Sequence, residues 1–176
     1  APAERIMRAS GVAETIGLIA GSHRFPLLLA ERARIRGYRV AAAALVDLAC
    51  ADIGGLVDAV EWVRLGELER LIGFFRREGV TRAYMAGAVR KADLLSLQSA
   101  STHLRDDRAA QLWFHKLSDR RDATILAAFA DELASEGVHL QNSVELLADC
   151  LASPGCMTVR RPSPSEMLDL AFGLGH

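Results

Sequence analysis

The feature of this sequence that most limits its fold is a repeated alternation of short apolar runs with segments of helical periodicity, punctuated by single glycines. The run Thr15–Ala20 is rich in β-branched residues, and the helical segment 26–36 that follows it stops at Gly37. The next apolar run, 38–46, has the continuous hydrophobicity of a strand buried on both faces of a parallel sheet. These features predict a strand, a crossover helix and a second strand.

The same alternation returns after a predicted loop at residues 47–58. Apolar runs at 59–65 and 80–86 are predicted strands, and residues 67–77 between them form a predicted amphipathic helix. Repeated strand and helix units are typical of an open, mostly parallel, doubly wound sheet with helices on both faces. The predicted fold class is therefore α/β and Rossmann-like.

The second half of the chain is predicted to be mainly helical. Helices are expected at 105–117, 120–136 and 143–152, the last capped by Ser143, with a short strand at 138–141.

Three of the five prolines lie in residues 153–165, which form the best linker candidate. Ser165 is predicted to cap a final helix that runs to Phe172 and whose apolar residues need a surface to cover. The predicted organisation is an N-terminal extension, an α/β domain, and a linker with the start of a joining helix, at residues 1–13, 14–152 and 153–176.

Charge and hydropathy exclude several classes of partner. The 21 Lys and Arg against 22 Asp and Glu leave a formal net charge of -1, so nucleic acid is not expected as a partner. The longest apolar stretches, such as 40–46, are far shorter than the roughly 20 residues that span a bilayer, so no transmembrane segment is expected. The three cysteines form no CxxC pair and are interpreted as reduced thiols of a cytoplasmic protein.

Candidate binding residues follow the predicted strands, because ligands of open parallel sheets bind beyond the carboxyl ends of the strands. After the first strand, Gly21, Ser22 and Arg24 offer a flexible backbone, a hydroxyl and a cation ahead of Pro26, a combination that suits a phosphate. An ordinary turn between strand and helix explains these residues equally well. The segment lacks both the dinucleotide fingerprint and the P-loop pattern.

After the fourth strand, Gly87 permits close approach of a ligand, and Arg90 and Lys91 are potential phosphate donors. On the residues alone, a solvated turn with exposed bases is the preferred interpretation. Asp119 and Asp122 have the spacing of a carboxylate pair for Mg²⁺, but helix capping explains the same spacing more simply.

The remaining motifs favour structural roles. The histidines show no H-x-x-E-H pattern, so a zinc hydrolase is unsupported, and no G-x-S-x-G elbow marks a serine nucleophile. Capping is also favoured for Asp106 and Asp107. Aromatic residues at helical spacings are predicted to be core, namely Phe74, Phe75, Trp113, Phe114 and Phe129.

Several spaced motifs occur together between residues 14 and 175. They are Gly17-Leu-Ile-Ala-Gly21 with Pro26 and Leu29-Ala30, Gly66-Glu-Leu with Phe75 and Gly79-Val80, Ala86-Gly87-x-Val89, Arg121-Asp122-Ala123 with Leu126, Glu136-Gly137, and Thr158 with Pro162-Ser163 through Asp169. In this combination the sequence resembles the LpxI-type UDP-2,3-diacylglucosamine pyrophosphatases of lipid A biosynthesis.

The resemblance implies a hydrolase that cleaves the pyrophosphate of UDP-2,3-diacylglucosamine to UMP and 2,3-diacylglucosamine 1-phosphate, using Mg²⁺ or another divalent cation. It also implies a substrate held in a cleft between two domains. The residues of this chain expected to line that cleft are Gly21, Ser22, Arg24, Gly87, Arg90 and Lys91, with Asp122 as a weaker member.

The family continues into a C-terminal domain whose G-T-D-like motif carries the proposed catalytic acidic residue. This chain has no such motif, so none of its residues is expected to be catalytic, and metal ligands are expected in that second domain. The resemblance therefore implies the substrate-contacting part of such an enzyme, inactive alone, with the second domain and a UDP-sugar as partners. It is expected in the cytoplasm or peripherally at the inner membrane.

Three positions depart from the family pattern. Ser22 and His23 stand where the family usually has glycines, and Ala88 stands where it often has Asn. Two other hypotheses are kept: a stand-alone nucleotide-sugar binding or regulatory module without catalysis, and an assembly role of the last helix, for example in a homodimer. An apolar face motivates the assembly role, and its residues are Met167, Leu168, Ala171 and Phe172.

Overall fold

The computed structural model describes residues 13–90, 106–119 and 121–175. Within them, the strands are β1 (Thr15–Ala20), β2 (Arg39–Leu45), β3 (Ala59–Val63), β4 (Arg82–Ala86) and β5 (His139–Gln141). They form one fully parallel sheet in the order β3-β2-β1-β4-β5. The predicted open parallel α/β sheet is confirmed.

Four of the five described α-helices lie between consecutive strands along the chain, and the fifth follows the last strand. They are α1 (Phe25–Ile35), α2 (Leu68–Arg77), α3 (Asp107–Gln111), α4 (Asp122–Ser135) and α5 (Pro164–Leu174). Shorter segments are 3-10 helical at Ala51–Gly55, Ser143–Leu146 and Ala148–Cys150, and π-helical at Leu112–Lys116.

Strand β2 is apolar on both sides because helices cover both faces of the sheet. Ala41, Ala43 and Leu45 belong to the hydrophobic cluster that α2 completes with Leu71 and Phe75. The alternate β2 residues face the other way and are also fully buried. The continuous apolar run of the sequence therefore reflects burial on two sides.

A glycine in the middle of β1 lets α2 pack closely onto the sheet. A Cβ atom at Gly17 would lie 2.9 Å from the ring of Phe75 and 2.9 Å from Val80 Cγ1. Those distances are shorter than ordinary carbon contacts, so a larger residue at position 17 would push α2 away from the sheet.

The predicted aromatic core is confirmed in part. Phe74, Phe75 and Trp113 are buried, and Phe129 packs against the core. The prediction for Phe114 is wrong, because this side chain is 56% exposed. It lies in the π-helical segment, whose wider turn shifts the residues away from the 3.6-residue period used to assign it to the core.

Two predicted helix starts are also corrected. Residues 143–152 form two short 3-10 segments instead of one helix, and the Val144 N–H bonds to the side chain of Asn142, not of Ser143. The final helix begins at Pro164 with Ser163 as its cap, because Ser163 and Glu166 form a reciprocal capping box. Ser165 lies inside that helix.

The chain divides into two compact units, Ala1–Leu146 and Leu147–His176. In the second unit, α5 has no buried residue. The Arg160 guanidinium bonds to Glu166 and, with the N–H of the capping serine, lowers the pKa of that carboxyl to about 2. No helix among the described residues is both long and apolar enough to span a membrane.

Candidate functional site

The candidate site lies where the direction of the sheet reverses. From β1 the chain adds β2 and β3 on one side, and it then crosses back to add β4 and β5 on the other. In such sheets the connections beyond the carboxyl ends of the two central strands leave a crevice in which ligands bind. Here those connections are the β1 turn, residues 21–24, and the β4 turn, residues 87–90.

The β1 turn and the β4 turn are joined by main-chain hydrogen bonds. The Gly21 N–H donates to the Ala86 carbonyl at 2.8 Å, and the Ser22 N–H donates to the Ala88 carbonyl at 3.1 Å. Ser22 and Ala88 thereby form an isolated antiparallel bridge beyond the parallel sheet. The sheet pairing therefore continues past the ends of β1 and β4 into the candidate site.

We call this pairing of the β1 and β4 turns the junction, and glycine is required on both sides of it. A Cβ atom at Gly21 would lie 2.8 Å from the Ala88 carbonyl oxygen, and one at Gly87 would lie 2.4 Å from the Ser22 carbonyl oxygen. Gly87 also has a φ of +87°, in the left-handed region that favours glycine. The two glycines predicted to permit close approach do so, and what each approaches in this structure is the opposite turn.

The Ser22 side chain reinforces the junction. Its Oγ donates to the Ala88 carbonyl at 2.9 Å, so one oxygen atom accepts from both the amide and the hydroxyl of the same residue. A serine hydroxyl has a single proton to donate. In this arrangement that proton is committed to the β4 turn and is not offered to a phosphate.

Two cations lie just beyond the junction. Arg24 is exposed and occupies the N-cap position of α1, where it has no side-chain capping bond, and Arg90 is exposed in the β4 turn. Between Ser22 and Arg24, His23 adopts a left-handed φ of +72° that directs the chain into the helix. The helix start and the two guanidiniums make this edge suitable for an anion.

Of the other two predicted site residues, Lys91 lies outside the described residues, and Asp122 is not on this junction. Asp122 lies in the first turn of α4, beside the positive end of the helix dipole. Nearby, Asp119 accepts hydrogen bonds from Thr124 and from the Arg121 N–H at 2.9 Å, and these bonds lower its pKa. The capping prediction for Asp119 is nevertheless wrong, because Arg121 occupies the N-cap position of α4 and no side chain makes a capping bond there.

The capping prediction at Asp106 is confirmed and extends further than the sequence indicates. Its two carboxylate oxygens accept from the Ala109 N–H at 2.7 Å and from the Glu69 N–H at 2.8 Å. One carboxylate thus caps α3 and also bonds to the first turn of α2.

The donor set of the site does not fit Mg²⁺. The β1 and β4 turns present N–H groups and guanidiniums, whereas Mg²⁺ requires oxygen ligands, usually including a carboxylate. Among residues 13–90, 106–119 and 121–175, no three His, Cys, Asp or Glu side chains are grouped to hold a metal ion.

The charged residues around Arg108 form a cluster of ion pairs away from the two turns. Arg108 bonds to Glu69 at 3.0 Å and also to Glu132 and Glu136, and Lys116 bonds to Glu132. Lys116 and Arg108 lower the pKa of Glu132, which is 5% exposed, and the carboxylates raise the pKa of Arg108. Because the charges are mutually satisfied, the cluster is built to join helices α2, α3 and α4.

One contributor to the site is absent from the sequence prediction. The Ala88 carbonyl is the shared acceptor that holds the two turns together. Sequence reasoning treats position 88 as a missing amide side chain, and a main-chain acceptor leaves no mark in residue type. Only the pairing of Ala88 with Ser22, 66 positions away, reveals it.

The fold and this junction define a Rossmann-like α/β domain whose candidate ligand edge is built from glycines, main-chain bonds and two arginines. A family model described as the LpxI N-terminal domain matches residues 15–150, and the chain belongs to that family. The resemblance stated from the motifs is confirmed at this level, and membership is consistent with a part in lipid A synthesis. No curated protein matches the chain.

Proposed function

We propose that this chain is the substrate-contacting domain of an LpxI-type hydrolase of UDP-2,3-diacylglucosamine, and that the β1 and β4 turns bind its diphosphate. The observation that carries the proposal is the junction at the sheet reversal, with Arg24 on one turn and Arg90 on the other. In the proposed reaction, water forms a bond to phosphorus while the bridging P–O bond breaks. The products are UMP and 2,3-diacylglucosamine 1-phosphate.

Charge at the junction favours a diphosphate. Neither turn contains an acidic residue, and each contributes one guanidinium. Guanidinium groups bind phosphate oxygens through paired, charge-assisted hydrogen bonds. Main-chain N–H groups at the start of α1 point toward the same edge of the sheet, as helix starts do after parallel strands. We therefore assign substrate contact, and no catalytic role, to this edge.

The divalent cation enters this proposal only through the family resemblance. Because the donor set at the two turns does not fit Mg²⁺, no described residue is assigned as its ligand, and no step is derived through it. The resemblance implies ligands in a second domain, which is also the proposed partner of this one.

Calorimetric titration of the chain with UDP tests the binding role. Wild type is expected to bind UDP, and Arg24→Ala and Arg90→Ala are each expected to weaken it about tenfold or more, as loss of a charged hydrogen bond predicts. Arg39→Ala is the matched control, because Arg39 is an exposed arginine at the opposite edge of the sheet. Absence of UDP binding, or equal weakening by the control, contradicts the proposal.

A turnover assay separates binding from catalysis. The chain alone, given UDP-2,3-diacylglucosamine and Mg²⁺, is expected to bind substrate without releasing UMP. UMP release that Arg24→Ala abolishes would instead place the reacting groups within these 176 residues.

A second candidate function, assembly, is favoured by α5. Its apolar side chains form one wide face, on which Leu168 and Leu174 are 73% and 89% exposed. An exposed apolar face of this kind usually marks a contact. If a second copy of the chain covers it, light scattering will show a dimer that Leu168→Glu dissociates, whereas Ile35→Glu, at an exposed position of α1, will not. A monomeric wild type removes this candidate.

A further inference from the structure

We propose that Ser22 is a positioning residue that fixes the separation of Arg24 and Arg90, so that the site prefers two linked phosphates to one. The inference rests on the proposed function, because it assumes that these arginines bind the diphosphate. It differs from the sequence prediction, in which Ser22 itself contacts the substrate.

Three hydrogen bonds and a close main-chain approach hold the two turns together. The approach leaves no room for a side chain, because a Cβ atom at Gly87 would be 2.4 Å from the Ser22 carbonyl oxygen. The Gly21 N–H bonds to the Ala86 carbonyl at 2.8 Å, next to the sheet. Further out, the hydroxyl and amide of Ser22 both bond to the Ala88 carbonyl, at 2.9 and 3.1 Å. Of these three bonds, the hydroxyl bond is the one that a side chain makes, so a substitution at Ser22 can remove it alone.

Ser22 and Ala88, which bond to each other, each precede one of the two arginines by the same number of residues. Arg24 lies two residues after Ser22, and Arg90 lies two residues after Ala88. The bond between Ser22 and Ala88 is therefore the closest described hydrogen bond that links the two turns ahead of the arginines. Its geometry determines how far apart the two guanidiniums start.

Two roles of Ser22 can be distinguished by experiment: donating a hydrogen bond directly to a phosphate, and positioning the two arginines through its bond to Ala88. A residue that donates directly to phosphate would affect any ligand that carries one. A residue that acts through the spacing of two cations affects a ligand that uses both, and it leaves a ligand that uses one nearly unchanged. UDP and UMP, which differ by one phosphate, separate these cases.

The test is calorimetric titration of the whole chain with UDP and with UMP. Ser22→Ala is expected to weaken UDP about three- to tenfold, the range that loss of one hydrogen bond predicts, and to change UMP less than about twofold. Ser22→Thr keeps the hydroxyl and is expected to restore UDP binding. Ser135→Ala is the matched control, because Ser135 Oγ makes the same kind of bond, to the Glu132 carbonyl at 2.7 Å, in α4.

The outcomes distinguish this inference from the proposed function. If wild type binds no UDP, the proposed function fails and the positioning role fails with it. If wild type binds UDP and Ser22→Ala binds it equally well, or loses UDP and UMP affinity in equal measure, only the positioning role is overturned. Thermal unfolding of each variant identifies a folding defect, and Ser22→Cys, which keeps the size with a weaker donor, is then expected to give an intermediate UDP affinity.

Discussion

The strands β1 and β4 are tied together differently at their two ends, here called the amino edge and the carboxyl edge of the sheet. At the amino edge, Glu14 accepts two bonds from Arg82, at 2.8 and 3.0 Å, and the Arg82 guanidinium lies 5.6 Å from the ring centre of Tyr38. At the carboxyl edge, the ties are main-chain bonds, two glycines and one serine hydroxyl.

This difference indicates that the charged side chains at the amino edge stabilise the fold, whereas those at the carboxyl edge serve the proposed binding role. Arg82 is engaged by a carboxylate and an aromatic ring, so its charge serves the fold. Arg24 and Arg90 are exposed on turns that the main chain already holds. Changes at the two edges are therefore expected to have separable effects on stability and on the proposed binding of UDP.

The largest expected effect is at the carboxyl edge. Gly87→Ala combines a left-handed φ with a Cβ contact of 2.4 Å, and we expect it to lower the free energy of unfolding by about 3 kcal/mol and to abolish UDP binding. Gly79→Ala is the matched control, because Gly79 has a φ of +68° but no atom within 4 Å of the added carbon. Its expected cost is about 1 kcal/mol, without loss of UDP binding. Equal costs in denaturant unfolding would show that the contact between the turns is unimportant.

The next largest effect tests whether the ion pairs between the helices, like those at the amino edge, contribute to stability and not to UDP binding. Glu132→Gln removes a buried carboxylate that Lys116 and Arg108 share, and it is expected to cost about 2 kcal/mol at neutral pH with unchanged UDP affinity. A tenfold loss of UDP affinity in a folded variant would break the division between stability and binding.

The same pair gives a pH dependence. The pKa of Glu132 is lowered in the folded chain, first by Lys116 and then by Arg108, so its stabilisation is present above the ordinary glutamate value of about 4.3. It is lost as the pH falls through the lower folded value. Wild type should therefore lose stability in acid more steeply than Glu132→Gln, as measured by urea unfolding at several pH values.

A smaller effect is expected at the amino edge itself. Glu14→Gln removes the charge that Arg82 binds, and since both side chains are about a quarter to a third exposed, at 26% and 32%, we expect a loss of about 1 kcal/mol. UDP affinity should not change. An affinity change without a stability change would reverse the roles assigned to the two edges.

The smallest effect is expected at His23. His23→Gly relieves a left-handed φ but adds freedom to the unfolded chain, and these contributions oppose each other. We expect a change in unfolding free energy of less than about 0.5 kcal/mol. A loss of more than 2 kcal/mol would show that the histidine side chain, and not the backbone reversal, holds the β1 turn.

Much of the fold follows from local pattern. The bounds of β1 match the predicted run at Thr15–Ala20, and α2 buries the apolar face expected of it. The wrong predictions occur where the helical period changes or where two residues could cap the same helix. Phe114 is misassigned because a π-helical segment changes the period, and Ser165 is misassigned because Ser163 has the glutamate at the right spacing for a capping box.

The sequence by itself determined the order of the five strands along the chain, the helices α1 and α2, the glycines of the two turns and the family, because each depends on residue type at short spacing. Only the tertiary structure decided that the β1 and β4 turns meet, since their contact follows from the order of strands in the sheet. It also showed that the Ser22 hydroxyl bonds to a main-chain carbonyl 66 residues away. A backbone acceptor carries no side-chain signal, so no reading of residue types finds it.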